Sequence, residues 1–151
     1  MVREEIIMEN YRLDRFKKAQ EADYTVALEE IRGGRKRSHW IWYIFPQLKG
    51  LGRSSMSDYY GLEGLEEARA YLADPLLKNR LLEITGALAS LEEKNASRVF
   101  GFPDELKVCS CMTLFSLADP QEPLFQQILD QYYKGHMDPE TLRILKLHGE
   151  I

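Results

Sequence analysis

The stretch Arg35–Ser54, RKRSHWIWYIFPQLKGLGRS, gathers several side chains able to do chemistry. His39 is the candidate catalytic residue, because an imidazole titrates near neutral pH and can give or take a proton. If Ser38 caps a helix, His39 occupies its first position, beside free backbone amides and the positive end of the dipole, which disfavours the protonated imidazole. Such a start, with Arg37 and Ser38 beside it and Arg35 and Lys36 preceding, is also where an anion binds. The competing reading is a structural histidine bonded to a backbone carbonyl. Asp104 and Glu105 are the carboxylate alternatives for acid–base work.

Trp40 and Trp42 offer an aromatic wall for a planar ring, or simply fill the core. Two positions apart on a helix, they point to different faces, so at most one shares a pocket with His39. Beyond Pro46, the loop from Gln47 carries Gly50, Gly52, Arg53 and Ser54. Glycines allow close backbone approach, and amides, hydroxyls and an arginine suit a phosphate. The lysine–serine ending and preceding strand of a P-loop are absent, and a solvated turn is the alternative. Lys107 is the last charge before eleven uncharged residues and shares a helix face with Ser110, three positions on. The pair either points into a polar pocket or snorkels and bonds back to its helix. Cys109 and Cys111 would stand about 200° apart on a helix and cannot chelate one ion. No metal or other cofactor is expected, and the cysteines read as small buried hydrophobes.

Charge narrows the function classes. The net charge is −4, yet residues 32–57 hold six Lys/Arg and no acid, leaving −10 on the remaining 125 residues. A basic island on an acidic body focuses a small anion and disfavours a long polyanion such as nucleic acid. The longest apolar run is six residues, against roughly 20 for a membrane span, and the N-terminus lacks a signal-peptide core. A membrane partner is not expected. The two cysteines form no disulfide framework, which points to a reduced, cytoplasmic protein.

The elements that must position these groups all read as helix. Leu13–Gln20 forms one, and Tyr24, Ala27, Leu28 and Ile31 mark a second with Asp23 as its cap. The Ser38–Phe45 block has the composition and length of a strand as well, but with no partner strand in the chain it is taken as a short buried helix of about two turns. Leu65, Ala68 and Leu72 mark another. Asp74-Pro75 and Asp138-Pro139 are start signals, an N-cap followed by a proline with no amide to lose. Phe125, Ile128, Leu129 and Tyr132 form an amphipathic face closed by Gly135. Asp104–Ala118 is apolar on all sides and so belongs at the centre. No segment alternates as a half-buried strand does. The expected fold is all-α, a compact single-domain array of about seven to eight helices around Asp104–Ala118, with the core over residues 13–147 and residues 1–10 peripheral.

The strings SHW, FPQLKGLGRSS, EARAYL, LLKNRLLEITGAL, VFGFPDELK and SCMTLF together resemble the small bacterial domain-of-unknown-function family numbered eighteen-ten. Its members sometimes carry the inherited label calpastatin, but nothing here reads as a disordered protease-inhibitor repeat. The resemblance spans about Leu13 to Leu145 and implies an all-helical single domain. Its motifs fall on Ser38, His39, Trp40, Phe45, Pro46, Gln47, Gly50, Gly52, Ser54, Tyr59, Lys107, Ser110, Met112 and Phe115. Relatives often carry an arginine where this chain has Cys109, which implies greater dependence on Arg53 and Lys107. EITGAL and VFGF are also similar to segments of a family of proposed N-glycosidases of ADP-ribose-like metabolites.

Two functional expectations follow. The first is an anionic, phosphorylated or nucleotide-like small-molecule ligand, held between the Ser38 helix start, the Gly50–Ser54 loop and Lys107. Its binding residues would be Arg37, Ser38, Trp40, Trp42, Gln47, Gly52, Arg53, Ser54, Tyr59, Lys107 and Ser110. The second is an interaction module that grips an acidic protein partner with the basic, aromatic surface of residues 32–57.

Overall fold

The computed structural model describes residues 11–151; residues 1–10, expected to be peripheral, lie outside that range. Nine helices are described: α1 (Asp14–Arg32), α2 (Ile41–Ile44), α3 (Ser55–Tyr60), α4 (Leu65–Ala73), α5 (Pro75–Ala89), α6 (Ala96–Phe100), α7 (Asp104–Ala118), α8 (Pro123–Tyr133) and α9 (Pro139–Leu147). Among the described residues there is no strand, only an isolated parallel bridge between Leu48 and Leu62. No described helix is long and apolar enough to cross a membrane.

Local chemistry sets several boundaries. The Asp74 carboxylate accepts from the Leu77 amide and Pro75 opens α5. Asp138 does the same for the Thr141 amide with Pro139 opening α9. A side-chain acceptor satisfies one of the free amides of the first turn, and proline there has none to leave unpaired. At the other end of α8, Lys134 and Gly135 take positive φ and turn the chain away.

α7 is the centre of the molecule. Val108–Ser116 are all buried, and α7 packs against α2, α4, α6, α8 and α9. Phe115 stands between Tyr71 of α4 and Phe125 of α8, at ring-centroid distances of 5.3 and 5.7 Å. Each fully buried large apolar side chain of this kind contributes about 1.5–3 kcal/mol. A second layer, α1 against α5 and α5 against α8, closes the other side. Arg15 ties α1 to α4 inside the fold: its Nη2 meets Glu67 Oε2 at 3.1 Å, and its Nε donates to the Tyr59 carbonyl at 2.9 Å.

Two expectations about helices are corrected. The first pair is one helix, α1, running through Asp23. The preceding Ala19-Gln20-Glu21-Ala22 are strong helix formers with no breaker, so a potential cap has no free end to serve. Asp23 instead accepts a hydrogen bond from the Tyr43 hydroxyl. The expected two-turn helix from Ser38 shrinks to the single turn Ile41–Ile44, with Trp40 at its start. The short α3 and α6 are additional; each is capped by a side chain, Ser54 for α3 and Asn95 for α6.

Candidate functional site

The anion held at the start of the aromatic block belongs to the chain itself. The Glu30 carboxylate, near the end of α1, accepts from the Arg37 amide (2.8 Å), the Ser38 amide (2.9 Å), the Ser38 hydroxyl (2.6 Å) and the Trp40 indole (2.9 Å). Burial works to raise the Glu30 carboxyl, but these four donors outweigh it and bring its pKa down to about 2. Ser38 is therefore a bridge to α1 and not a helix cap, and the amides expected to bind a ligand are already satisfied. Trp40 is fully buried and Arg37 is exposed. His39 is exposed and precedes no helix of useful length, so the dipole argument for it lapses. Lys36 is drawn inward onto Asp104 at 2.9 Å, with its ammonium 5.1 Å from the Trp40 ring. Tyr59 lies apart, exposed, with the Arg12 guanidinium 5.8 Å from its ring.

The other half of the expected set is brought together. A cavity of about 370 Å³ is lined by Gln47, Gly52, Arg53, Ser54, Lys107 and Ser110, all anticipated from sequence. It is completed by Leu51, Ser57, Pro103, Leu106, Asp138 and Glu140. Its walls are the 47–57 loop, the first two turns of α7 and the start of α9. Trp42 does not line it; half-buried, it has the Lys107 ammonium 5.3 Å from its ring. Its indole nitrogen is buried without a partner among the described residues.

Gly52 explains how the cavity floor forms. A Cβ there would sit 2.3 Å from Ser57 Oγ and 3.5 Å from Gln47 Nε2, so both polar atoms close in on the bare backbone. Gln47 and Ser57 are each 7% exposed. The Gln47 backbone is anchored to Leu62, whose amide donates to its carbonyl at 2.9 Å. Among the described residues its side-chain carboxamide has no hydrogen-bond partner. Ser54 Oγ accepts from the Ser57 amide and donates to Ser57 Oγ, both at 3.1 Å. That leaves the Ser57 hydroxyl proton free to be donated into the cavity, since a hydroxyl carries a single proton and two lone pairs.

Charge in the cavity is of both signs, but unequally committed. Arg53 is exposed and has no carboxylate within salt-bridge distance among the described residues. Lys107 shares Asp104, 3.4 Å away, with Lys36. Asp138 holds the Thr141 amide at 2.9 Å and the Thr141 hydroxyl at 2.6 Å. Glu140 is gripped by Arg143 through two nitrogens at 2.9 and 3.0 Å. Glu105, a carboxylate alternative, does not line the cavity; it accepts from the Ser97 hydroxyl at 2.8 Å. Ser57, Asp138 and Glu140 were not foreseen as site residues. Burial, reinforced by the charge of Asp138, pushes the Cys109 thiol up to about 12, so it is no thiolate nucleophile at neutral pH.

A second depression of about 640 Å³ runs along Gly33–Lys36 and Ser97–Gly101. Arg35 and Arg98 reach it, but Arg98 pairs with Glu93 at 3.4 Å, and the buried Lys36 side chain in its wall is committed to Asp104 at 2.9 Å. The first cavity is the stronger candidate, because buried polar residues, Gln47, Ser57 and Ser110, converge in it beside an apolar wall.

Comparison with known proteins agrees with the fold. No curated protein matches the chain. The crystal structure of the conserved hypothetical protein Rv1873 from Mycobacterium tuberculosis is similar, with a TM-score of 0.89 and 44% sequence identity over 91% of this chain and 98% of that one. The family model described as Protein of unknown function (DUF1810) matches residues 10–145, so the chain belongs to that family.

Proposed function

We propose that the 47–57/α7/α9 cavity binds a small anionic metabolite, phosphorylated or nucleotide-like. The observation that carries this reading is the pair of buried donors packed against Gly52, the Gln47 carboxamide and the Ser57 hydroxyl, in the same cavity as the cations Arg53 and Lys107. Neutral donors fix an oxyanion's orientation, and cations supply charge-assisted bonds of roughly twice the strength of neutral ones. Leu51, Pro103 and Leu106 supply the apolar wall that ligand sites need besides a few convergent polar groups.

Size narrows the ligand. About 370 Å³ lies at the small end of the roughly 300–1,000 Å³ typical of ligand pockets. A sugar phosphate or a mononucleotide suits that volume; a dinucleotide of the ADP-ribose kind would leave much of itself outside.

Isothermal titration with inorganic phosphate and AMP tests the reading. Both should bind the native chain, and Arg53→Ala and Lys107→Met should each weaken binding about tenfold or more, as loss of a hydrogen bond to a charged group does. A native chain that gives neither heat nor a thermal shift with either compound would refute it.

A further inference from the structure

The α9 side of the cavity constrains what the rest of the ligand is. Ser110 is 1% exposed and lines the cavity. Its Oγ lies 2.7 Å from Thr141 Oγ1, and either could donate on geometry alone. The next bond settles the direction. Thr141 Oγ1 donates its only proton to Asp138 Oδ2 at 2.6 Å, because a carboxylate only accepts. The Ser110 proton must therefore go to Thr141. The chain of donation runs Ser110 to Thr141 to Asp138, and Ser110 is left with lone pairs alone. Asp138 Oδ1 is likewise unused among the described residues, and it too is an acceptor.

The cavity is thus split by hydrogen-bond polarity. The 47–57 loop and Lys107 present donors and cations; Ser110, Asp138 and Glu140 present acceptors. An anionic group placed against Ser110 would meet lone pairs and carboxylates, so the anion belongs at the Gly52 floor. The far end of the ligand must carry hydrogen-bond donors. A full positive charge is not required there, since Glu140 is already paired with Arg143 and Asp138 keeps its charge but already takes two hydrogen bonds from the amide and hydroxyl of Thr141. We infer that the ligand is a phosphorylated polyol, such as a pentose phosphate or the ribose phosphate of a mononucleotide, whose hydroxyls donate to Ser110 and Asp138. This inference rests on the anion-binding reading above and specifies the other half of the ligand.

The test is titration of the full chain with four probes: inorganic phosphate, ribose 5-phosphate, butyl phosphate and UMP. The expected result is ribose 5-phosphate bound about tenfold more tightly than phosphate and butyl phosphate. Ser110→Ala should remove most of that advantage while inorganic phosphate binds as before, which also shows that the variant is folded. UMP tighter than ribose 5-phosphate assigns the sugar phosphate to a mononucleotide, and weaker UMP assigns it to the free sugar; both agree with the inference. Butyl phosphate binding as tightly as ribose 5-phosphate overturns the inference and leaves the anion site standing. The same holds if the ribose advantage survives in Ser110→Ala. Failure of all four probes overturns both readings together. The comparison of butyl phosphate with ribose 5-phosphate needs only the native chain, so it decides the matter even if Ser110→Ala does not fold.

Discussion

Glu30 is the residue that most alters the reading of the basic island. A run of cations before a serine invites a bound anion, and one is there, but it is covalently part of α1. Its four hydrogen bonds pin the 37–40 segment to the helix that precedes it. The carboxyl lies well below its ordinary 4.5, at about 2. A depressed carboxyl stabilises the fold fully above its unfolded value, and that contribution disappears as pH falls through the folded one. Glu30→Gln should therefore destabilise the chain by about 1–3 kcal/mol at neutral pH, the usual loss for charge-assisted hydrogen bonds. The gap between native and variant should close progressively from about pH 4.5 towards pH 2. Urea unfolding at a series of pH values measures it; a gap that stays constant across that window would show that Glu30 acts only as a spacer.

At the scale of elements, the turn before α3 is where packing and function meet. Gly52 has an ordinary backbone conformation, and what demands glycine there is space: Ser57 Oγ and Cβ would lie 2.3 and 2.5 Å from a new Cβ. Gly52→Ala should push α3 away from the loop and cost about 1–3 kcal/mol, the range for overpacking. It should also weaken phosphate binding more than it lowers the melting temperature would suggest, because the Ser57 donor moves out of line. Unchanged phosphate affinity in Gly52→Ala would mean that Ser57 does not touch the ligand. The same comparison of elements shows what was legible beforehand. Asp74-Pro75 and Asp138-Pro139 mark helix starts to the residue, because cap and proline act on amides within a turn. Ser38 has the same cap chemistry but spends it on Glu30, eight positions back, a tertiary partner that spacing does not reveal. Gln47, Gly52, Arg53 and Ser54 form a readable loop, and Lys107 with Ser110 stands out at the border of an uncharged helix. Their meeting with Asp138 and Glu140 depends on α9 folding back over α7, which no local pattern records.

For the whole molecule, the question is how the site stays assembled when its three walls come from distant parts of the chain. The answer lies in α7, which contributes Lys107 and Ser110 to the cavity and Phe115 to the centre of the core. Phe115 is fully buried, and its ring neighbours are Tyr71 and Phe125, so one side chain links α4, α7 and α8. Phe115→Ala should cost about 3–5 kcal/mol through lost burial and a cavity that its neighbours fill only in part. For a chain of this size that corresponds to a drop in melting temperature of roughly 6–20 °C. Lys107 and Ser110 lie one to two helical turns nearer the start of α7, on backbone whose hydrogen bonds the substitution leaves in place. Below its own melting temperature, the variant should then bind inorganic phosphate with native affinity. Thermal denaturation and titration at 15 °C check the two halves separately. A lowered melting temperature with native affinity is the outcome expected if α7 acts as a rigid rod carrying the site. A loss of affinity in protein that is still fully helical by circular dichroism would instead show that core packing around Phe115 sets the cavity's geometry.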